Sequence, residues 1–324
     1  MALLLECLQE VKHYIFKRLV GMLLVMLFVV TIVFLIVRIT PGDPAAIMLG
    51  PDATATEIAE LRSNLGLDQP ISEQYALFLS QLVRGDLGES IFLHRPVTTA
   101  LYERSEPTLF LTLFTMIIAT AIAVPLGIIA AYWRDSWIDR CVTTFAMLAA
   151  SVPSFWLGLL LIQLLAAQLG WFPVAGYGGP DASFPHRLSH LILPAMALGT
   201  GASAIILRST RSSMLDVLND QYVRTARSKG MSELRVIARH AFKNALVPII
   251  TVLGLTAAAL ISGAVVTETV FSLPGIGNLV VSAVMRRDYP VIQGALLIIA
   301  SLYVLFNFCV DMLYLLVDPR VRYQ

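Results

Sequence analysis

Charge is scarce in this chain of 324 residues: Lys, Arg, Asp and Glu make up 14% of it, against 57% apolar residues. A soluble domain carries about a quarter charged residues and does not run on for about 20 apolar residues at a stretch. This chain does so repeatedly, which excludes a soluble globular protein and predicts an all-α polytopic membrane protein. Cysteine is scarce as well. Cys7, Cys141 and Cys309 are odd in number and far apart, so neither a disulfide framework nor a CxxC metal site follows from them. The only lysines are Lys12, Lys17, Lys229 and Lys243, and none lies in a GxxxxGKS/T phosphate loop. The chain is therefore not its own P-loop ATPase. HExxH, GxSxG and paired catalytic acids are absent too, so no enzymatic activity is expected of it alone. A net charge of +1 gives no reason to expect a nucleic-acid partner.

What is present is a set of apolar runs. At about 20 residues per crossing, they predict six spans, at 19–37, 108–131, 141–168, 191–207, 246–267 and 291–317. Lys12, Lys17 and Arg18 ahead of the first run look like the start of a signal peptide. That run is longer than a signal core, and no small-x-small cleavage site follows it, so a retained anchor helix is expected. Lys and Arg are unevenly shared between the two sides. With the N-terminus inside, 15 fall on one side and eight on the other, five of those eight in the long loop after the first span. The positive-inside rule then predicts cytoplasmic termini.

The long loop has its own pattern. In TATEIAELRSNLG, Ile58, Leu61 and Leu65 share a helical face, with Thr54 or Thr56 to cap it and Gly66 to stop it. SEQYALFLSQLVRG repeats the design between Ser72 and Gly85. From Arg38 to Glu106 there are ten acids and five bases. Short amphipathic helices on the outer membrane surface are the expectation. The chain accordingly divides into residues 1–105, an anchor helix with an extracytoplasmic loop, and 106–324, a five-helix core.

One basic stretch stands apart: YVRTARSKGMSELRVIARHAFKNALVP, from Tyr222 to Pro248, with six Lys or Arg and one acid, Glu233. Two helices are predicted to meet at Gly230, one over about 212–229 and one from about Ser232. Leu234, Ile237, Ala238, Ala241 and Ala245 recur at helical spacing, and Arg235, Arg239 and Lys243 stack on a neighbouring face. Lipid headgroups and the positive-inside rule explain the charge. They do not explain an apolar stripe fused directly to a span. That combination suits a groove in a cytoplasmic protein.

The spacing of Ala226 and Gly230, with Pro248 beyond, resembles the EAA loop of permease subunits in binding-protein-dependent ABC importers. RITPGDPA after the first span, TETVFSLPGIGNLVVSAVMRRDYPVIQG between spans five and six, and the closing LVDPRVRY are similar to the B-type permeases of the peptide/nickel branch. The resemblance covers essentially the whole chain. It implies the type I importer fold and a coupling loop over about 208–245 that docks on the ATPase through Tyr222, Arg224, Ala226, Arg227, Lys229, Gly230, Arg235 and Arg239. One departure is visible. The EAA triplet falls on Arg224, Thr225 and Ala226, so the family's Glu is Arg here. The resemblance further implies a second homologous permease, two cytoplasmic P-loop ATPases using ATP and Mg²⁺, and an extracytoplasmic substrate-binding protein. No cofactor is expected on this chain. Short peptides are the expected cargo, with nickel or a nickel chelate, then glutathione, as alternatives.

Other polar residues stand out against the apolar background. Glu268, at the predicted outer end of the fifth span, is a candidate for the outer mouth, together with Asn278 in the PGIGN turn. Asp311, with Asn307 one turn before it, is the acid deepest in a predicted span. A secondary transporter or channel would place such a residue for ion coupling. His186 and His190 have the spacing of a helical metal pair, but no Cys, Asp or Glu accompanies them in sequence, and they are only weak metal candidates.

Overall fold

A computed structural model describes residues 2–39, 43–50, 53–64, 66–179 and 181–317. Among these, helices are the only extended secondary structure. In chain order they are α1 (Ala2–Ile39), α2 (Pro44–Leu49), α3 (Ala55–Asn64), α4 (Ile71–Val83), α5 (Val97–Tyr132), α6 (Trp137–Ser151) and α7 (Ser154–Leu161), whose end continues as a π-helical segment to Gln168. After these come α8 (Phe184–Leu218), α9 (Gln221–Ser228), the single turn α10 (Glu233–Arg235), a π-helical turn over Val236–Ala241, α11 (Phe242–Val270), α12 (Ile276–Arg286) and α13 (Tyr289–Val317).

Among the described residues, five helices are long and apolar enough to cross a bilayer: those of α1, α5, α8, α11 with its preceding turns, and α13. The third predicted span, 141–168, differs from expectation. Its unbroken apolar run folds as two arms, α6 and α7, bent by 95°. Val152 between them is extended, at φ −85° and ψ 122°. The ring of Pro153 disfavours a helical conformation for the residue before it. The fourth span also exceeds its apolar window and runs as one helix through Leu218.

The core lies between α5, α8 and α11 and is built largely from alanine, with Leu111, Leu191, Leu193 and Ile206 among its buried larger residues. Small residues let helix backbones approach, and membrane helices need this because lipid gives no hydrophobic drive to helix association. At Gly127 the approach is closest: a Cβ there would lie 2.8 Å from the Leu207 carbonyl oxygen and 2.7 Å from the Thr210 Cβ. Gly254 is pressed in the same way against Val310 of α13.

The first loop helix follows its sequence signals at both ends; the second follows its stop signal only, since α4 starts at Ile71 behind Pro70, with no side-chain cap from Ser72. In α3, Thr54 N–H donates to Glu57 Oε2 at 2.8 Å and Glu57 N–H donates to Thr54 Oγ1 at 3.3 Å, a reciprocal capping box. The helix ends at a left-handed Gly66 (φ +65°), and α4 is followed by Gly85 (φ +76°). Residues 318–324, which carry Arg320, Arg322 and most of the closing motif, lie outside the described residues, as does Leu65.

Candidate functional site

The basic stretch forms a compact helical unit at the end of the bundle where α8 finishes and α11 begins. The helix expected over 212–229 is interrupted. α8 stops at Leu218, and α9 starts anew behind Asn219 and Asp220. Both residue types compete with helix by bonding locally, and here Asn219 Nδ2 donates to the Leu215 carbonyl at 2.9 Å.

The turn after α9 answers its sequence signal. Gly230 has φ +75°. Its N–H donates to the Arg227 carbonyl at 2.9 Å, and Met231 N–H to the Ala226 carbonyl at 3.4 Å, which is the Schellman pattern. A left-handed L-residue costs about 1–2 kcal/mol there. Arg227 reaches across the turn to Glu233 at 3.0 Å, an exposed pair worth at most about 1 kcal/mol. Behind the turn, Val223, Ala226 and Val236 are buried together. Ala226, expected on the docking segment, therefore faces inward and packs the unit, because it shares a face with Val223 three residues earlier.

Tyr222 closes the unit onto the next span. Its hydroxyl donates to the His240 carbonyl at 3.4 Å and accepts from Asn244 Nδ2 at 2.8 Å. The chain then passes through the π-helical turn into α11 without a loop. Arg224, Lys229, Arg235 and Arg239 are exposed. Leu234 is 78% exposed in their midst. Close by, Arg211 of α8 grips Asp139 of α6 through two bonds of 2.6 Å, and the Asp139 side chain is only 5% exposed. This pair explains why α8 stays helical beyond its apolar window.

At the opposite end, Glu268 is fully buried and lines no open mouth, contrary to the sequence expectation. Thr108 Oγ1 of α5 donates to its Oε1 at 2.6 Å, and Asn278 N–H donates to its Oε2 at 3.0 Å. Thr108 Oγ1 in turn accepts from Ile276 N–H at 2.9 Å. The carboxylate thus caps the N-terminus of α12, where amide donors otherwise lack partners. Gly275 and Gly277 make room for it, since a Cβ at either would meet the Glu268 carboxyl group. Asn278 enters this arrangement through its backbone.

Asp288 was not singled out in the sequence. It is buried and accepts from Ser90 Oγ at 2.5 Å and from the N–H groups of Ile91 and Phe92 at 3.3 Å, so it ties the long loop to the start of α13. An Asp one residue ahead of Tyr-Pro is a readable helix-start signal.

Asp311 pairs with Arg18 of α1 at 3.1 Å, and Asn307 Nδ2 bonds the Tyr303 carbonyl one turn earlier. Neither is brought to Glu268 or to the basic unit. His186 and His190 stand edge to face at 5.0 Å between ring centroids. No group of three His, Cys, Asp or Glu able to hold a metal occurs among the described residues.

The apolar helices thus carry one basic two-helix unit fused directly to a span. The chain belongs to the family of binding-protein-dependent transport system inner membrane components: that family's profile matches residues 123–323, and the profile of its N-terminal region matches residues 11–112. It is 45% identical over 310 residues to a probable peptide ABC transporter permease, y4tP, of Sinorhizobium fredii NGR234, covering 96% of this chain and 99% of that one. It is 42% identical over 312 residues to the glutathione transport system permease GsiC of Escherichia coli K12, with the same coverage. The fold matches a chain of the inward-facing MetNI methionine ABC transporter with a TM-score of 0.58 at 17% identity, over 67% of this chain and 96% of that one. The chain is a multi-pass ABC importer permease subunit of the inner membrane.

Proposed function

We propose that this permease subunit forms one half of a pathway importing short peptides, and that α9, the Gly230 turn and α10 are the surface gripped by an ATPase. The observation that carries the reading is the build of that unit. Val223, Ala226 and Val236 hold it from inside and Tyr222 ties it to α11, while Leu234, Arg224, Lys229, Arg235 and Arg239 are exposed. A rigid amphipathic helix pair of this kind suits a groove on another protein. Tyr222, Arg224, Arg227, Lys229, Arg235 and Arg239 supply the contact face. Ala226 and Gly230 supply its shape.

In this reading the basic unit and both termini are cytoplasmic, following the lysine and arginine count. Residues 1–105 act as anchor and outer cap, and residues 106–324 as the transport core. A second homologous permease completes the pathway. Two P-loop ATPases bind ATP and Mg²⁺, and a binding protein delivers cargo at the Glu268 end. Short peptides are favoured by the 45% identity to a protein described as a peptide permease. Glutathione, itself a small peptide, is the second reading, from the 42% identity to GsiC.

Co-purification in mild detergent of this chain expressed from its native locus tests the assignment. Two P-loop ATPases and a second six-span subunit are the expected companions, and the ligand carried by a co-purifying binding protein identifies the cargo. Recovery of this chain alone, or only with itself, would overturn the reading.

A further inference from the structure

Three hydrogen bonds close a triangle between α9 and the start of α11. Asn244, in the first turn of α11, donates through Nδ2 to the Tyr222 hydroxyl at 2.8 Å and to the His240 carbonyl at 3.0 Å. The Tyr222 hydroxyl donates to the same carbonyl at 3.4 Å. An amide nitrogen has two hydrogens, a phenol one, and a carbonyl oxygen two lone pairs. Every one of these is used within the triangle. An asparagine that caps a helix accepts a backbone N–H. Asn244 donates both of its bonds instead, and one of them leaves its own helix.

Two routes lead from α9 to α11. The covalent route is long: 22 residues separate Tyr222 from Asn244, by way of the left-handed Gly230, the single turn α10 and the π-helical turn. A π-helical turn interrupts the α-helical bonding pattern with i→i+5 bonds. The short route is Tyr222 itself. Among the described residues, it is the one side chain of α9 that hydrogen-bonds to the chain from His240 onward. Val223, Ala226 and Val236 also hold the unit together, but apolar burial is non-directional. Hydrogen bonds weaken steeply when misaligned, so the triangle fixes α9 against α11 in one register.

We propose that Asn244 is a positioning residue for transport: with Tyr222 it locks the basic unit to α11, so that a displacement of α9 by a bound ATPase reaches the Glu268 end of that helix. The proposal rests on the docking role of the unit given above. The Tyr222 side chain suits both tasks. It belongs to a residue that is 40% exposed and open to a partner, while its hydroxyl is committed to Asn244 and the His240 carbonyl. One residue thus meets the ATPase, and the next link, Asn244, passes the movement to the span.

The intact importer complex with its binding protein, held in lipid nanodiscs, tests this. Backbone hydrogen exchange over 271–279, which joins α11 to α12, is compared between the nucleotide-free complex and one trapped with ATP, Mg²⁺ and vanadate. Wild type is expected to change its exchange there on trapping. Asn244→Ala should keep its ATPases and its nucleotide-free exchange, while the change on trapping falls about threefold, the effect of one neutral hydrogen bond. Alanine favours helix over asparagine and position 244 is exposed, so α11 itself is not weakened. Asn244→Asp still accepts from the Tyr222 hydroxyl and should keep most of the response, and adding Tyr222→Phe to it should remove that response again. A full response in Asn244→Ala with its ATPases bound would overturn this proposal and leave docking standing, as would a wild type that binds ATPases but shows no change on trapping. Loss of the ATPases from Asn244→Ala would overturn it as well, by making Asn244 a contact residue. A wild-type complex that holds no ATPases would overturn the docking reading and this proposal with it.

Discussion

The Glu268 carboxylate and the Thr108 hydroxyl meet at 2.6 Å although 160 residues separate them in the chain. Through this bond α11 is joined to α5, and through Asn278 N–H the same carboxylate holds the start of α12. Glu268→Ala removes the acceptor from both and leaves buried donors behind. A loss of about 2–4 kcal/mol is expected from such an exposure of unsatisfied groups, read as a fall in thermal midpoint of the detergent-solubilised chain. Glu268→Gln keeps an acceptor oxygen and should lose clearly less. An equal loss in both variants would mean that the amide cannot take up the carboxylate's bonds.

The contact between α11 and α13 makes a second prediction. A Cβ at Gly254 collides only with the side chain of Val310, whereas one at Gly127 also meets the Leu207 backbone oxygen. Gly254→Ala should therefore destabilise and be rescued by Val310→Ala. Gly127→Ala should remain impaired when Thr210→Ala is added. Thermal midpoints of the four variants decide the matter, since coupling of this kind appears as non-additivity between neighbours.

Arg211 and Asp139 form the tightest ion pair in the described structure. Arg211→Gln leaves a carboxylate nearly out of reach of water, at a cost of about 3 kcal/mol. Asp139→Asn retains an acceptor for the Asp135 N–H, which bonds it at 3.0 Å, and leaves an arginine that is one-quarter exposed. The arginine variant should be the less stable of the two in denaturant or heat.

Gly230→Pro forces φ from +75° to about −65° and deletes the N–H bonded to Arg227. The chain should still insert in the membrane, while uptake by the importer is lost and ATP hydrolysis no longer follows cargo supply. Normal uptake by this variant would count heavily against the docking role of the unit.

A pH effect is expected at α3. Two bonds from Thr54 hold the Glu57 carboxyl below its usual value of 4.5. A depressed carboxyl stabilises the folded helix above the unfolded value and ceases to do so as pH falls through the folded one. Hydrogen exchange in 55–64 should therefore quicken, relative to α4, on acidification from about pH 5 downward, and Glu57→Gln should weaken that response.

The spans were readable because apolar runs of the right length have few other uses, and five of the six fold as continuous helices. What composition could not supply was direction within a run. Val152 and Pro153 sit in an apolar stretch whose hydropathy is the same for one straight helix as for two arms at 95°. The end of α8 is hidden in the sequence for the opposite reason. Arg208 and Arg211 read as loop residues until the partner of Arg211, 72 positions earlier, is in view. Glu268 fails in the same way, since nothing near it in sequence announces Thr108. By contrast, Gly230, Gly66 and the Thr54–Glu57 box act locally, and local signals survive folding. The basic unit was legible as a unit, but its inward and outward residues were not separable until Val223 and Val236 were seen to enclose Ala226.

The absence of a loop between α10 and α11 has a mechanical meaning. From Glu233 to Val270 the chain is helical for 38 residues, a rod of about 57 Å at the usual rise. Its first turn lies beside Leu234 and its last turn contains Glu268, to which α12 is fastened. A rotation of about 5° around one end of such a rod carries the other through about 5 Å, close to the rise of one helical turn. A rigid rod of this length would turn a small rotation at the basic end into a displacement of several ångströms at the Glu268 end.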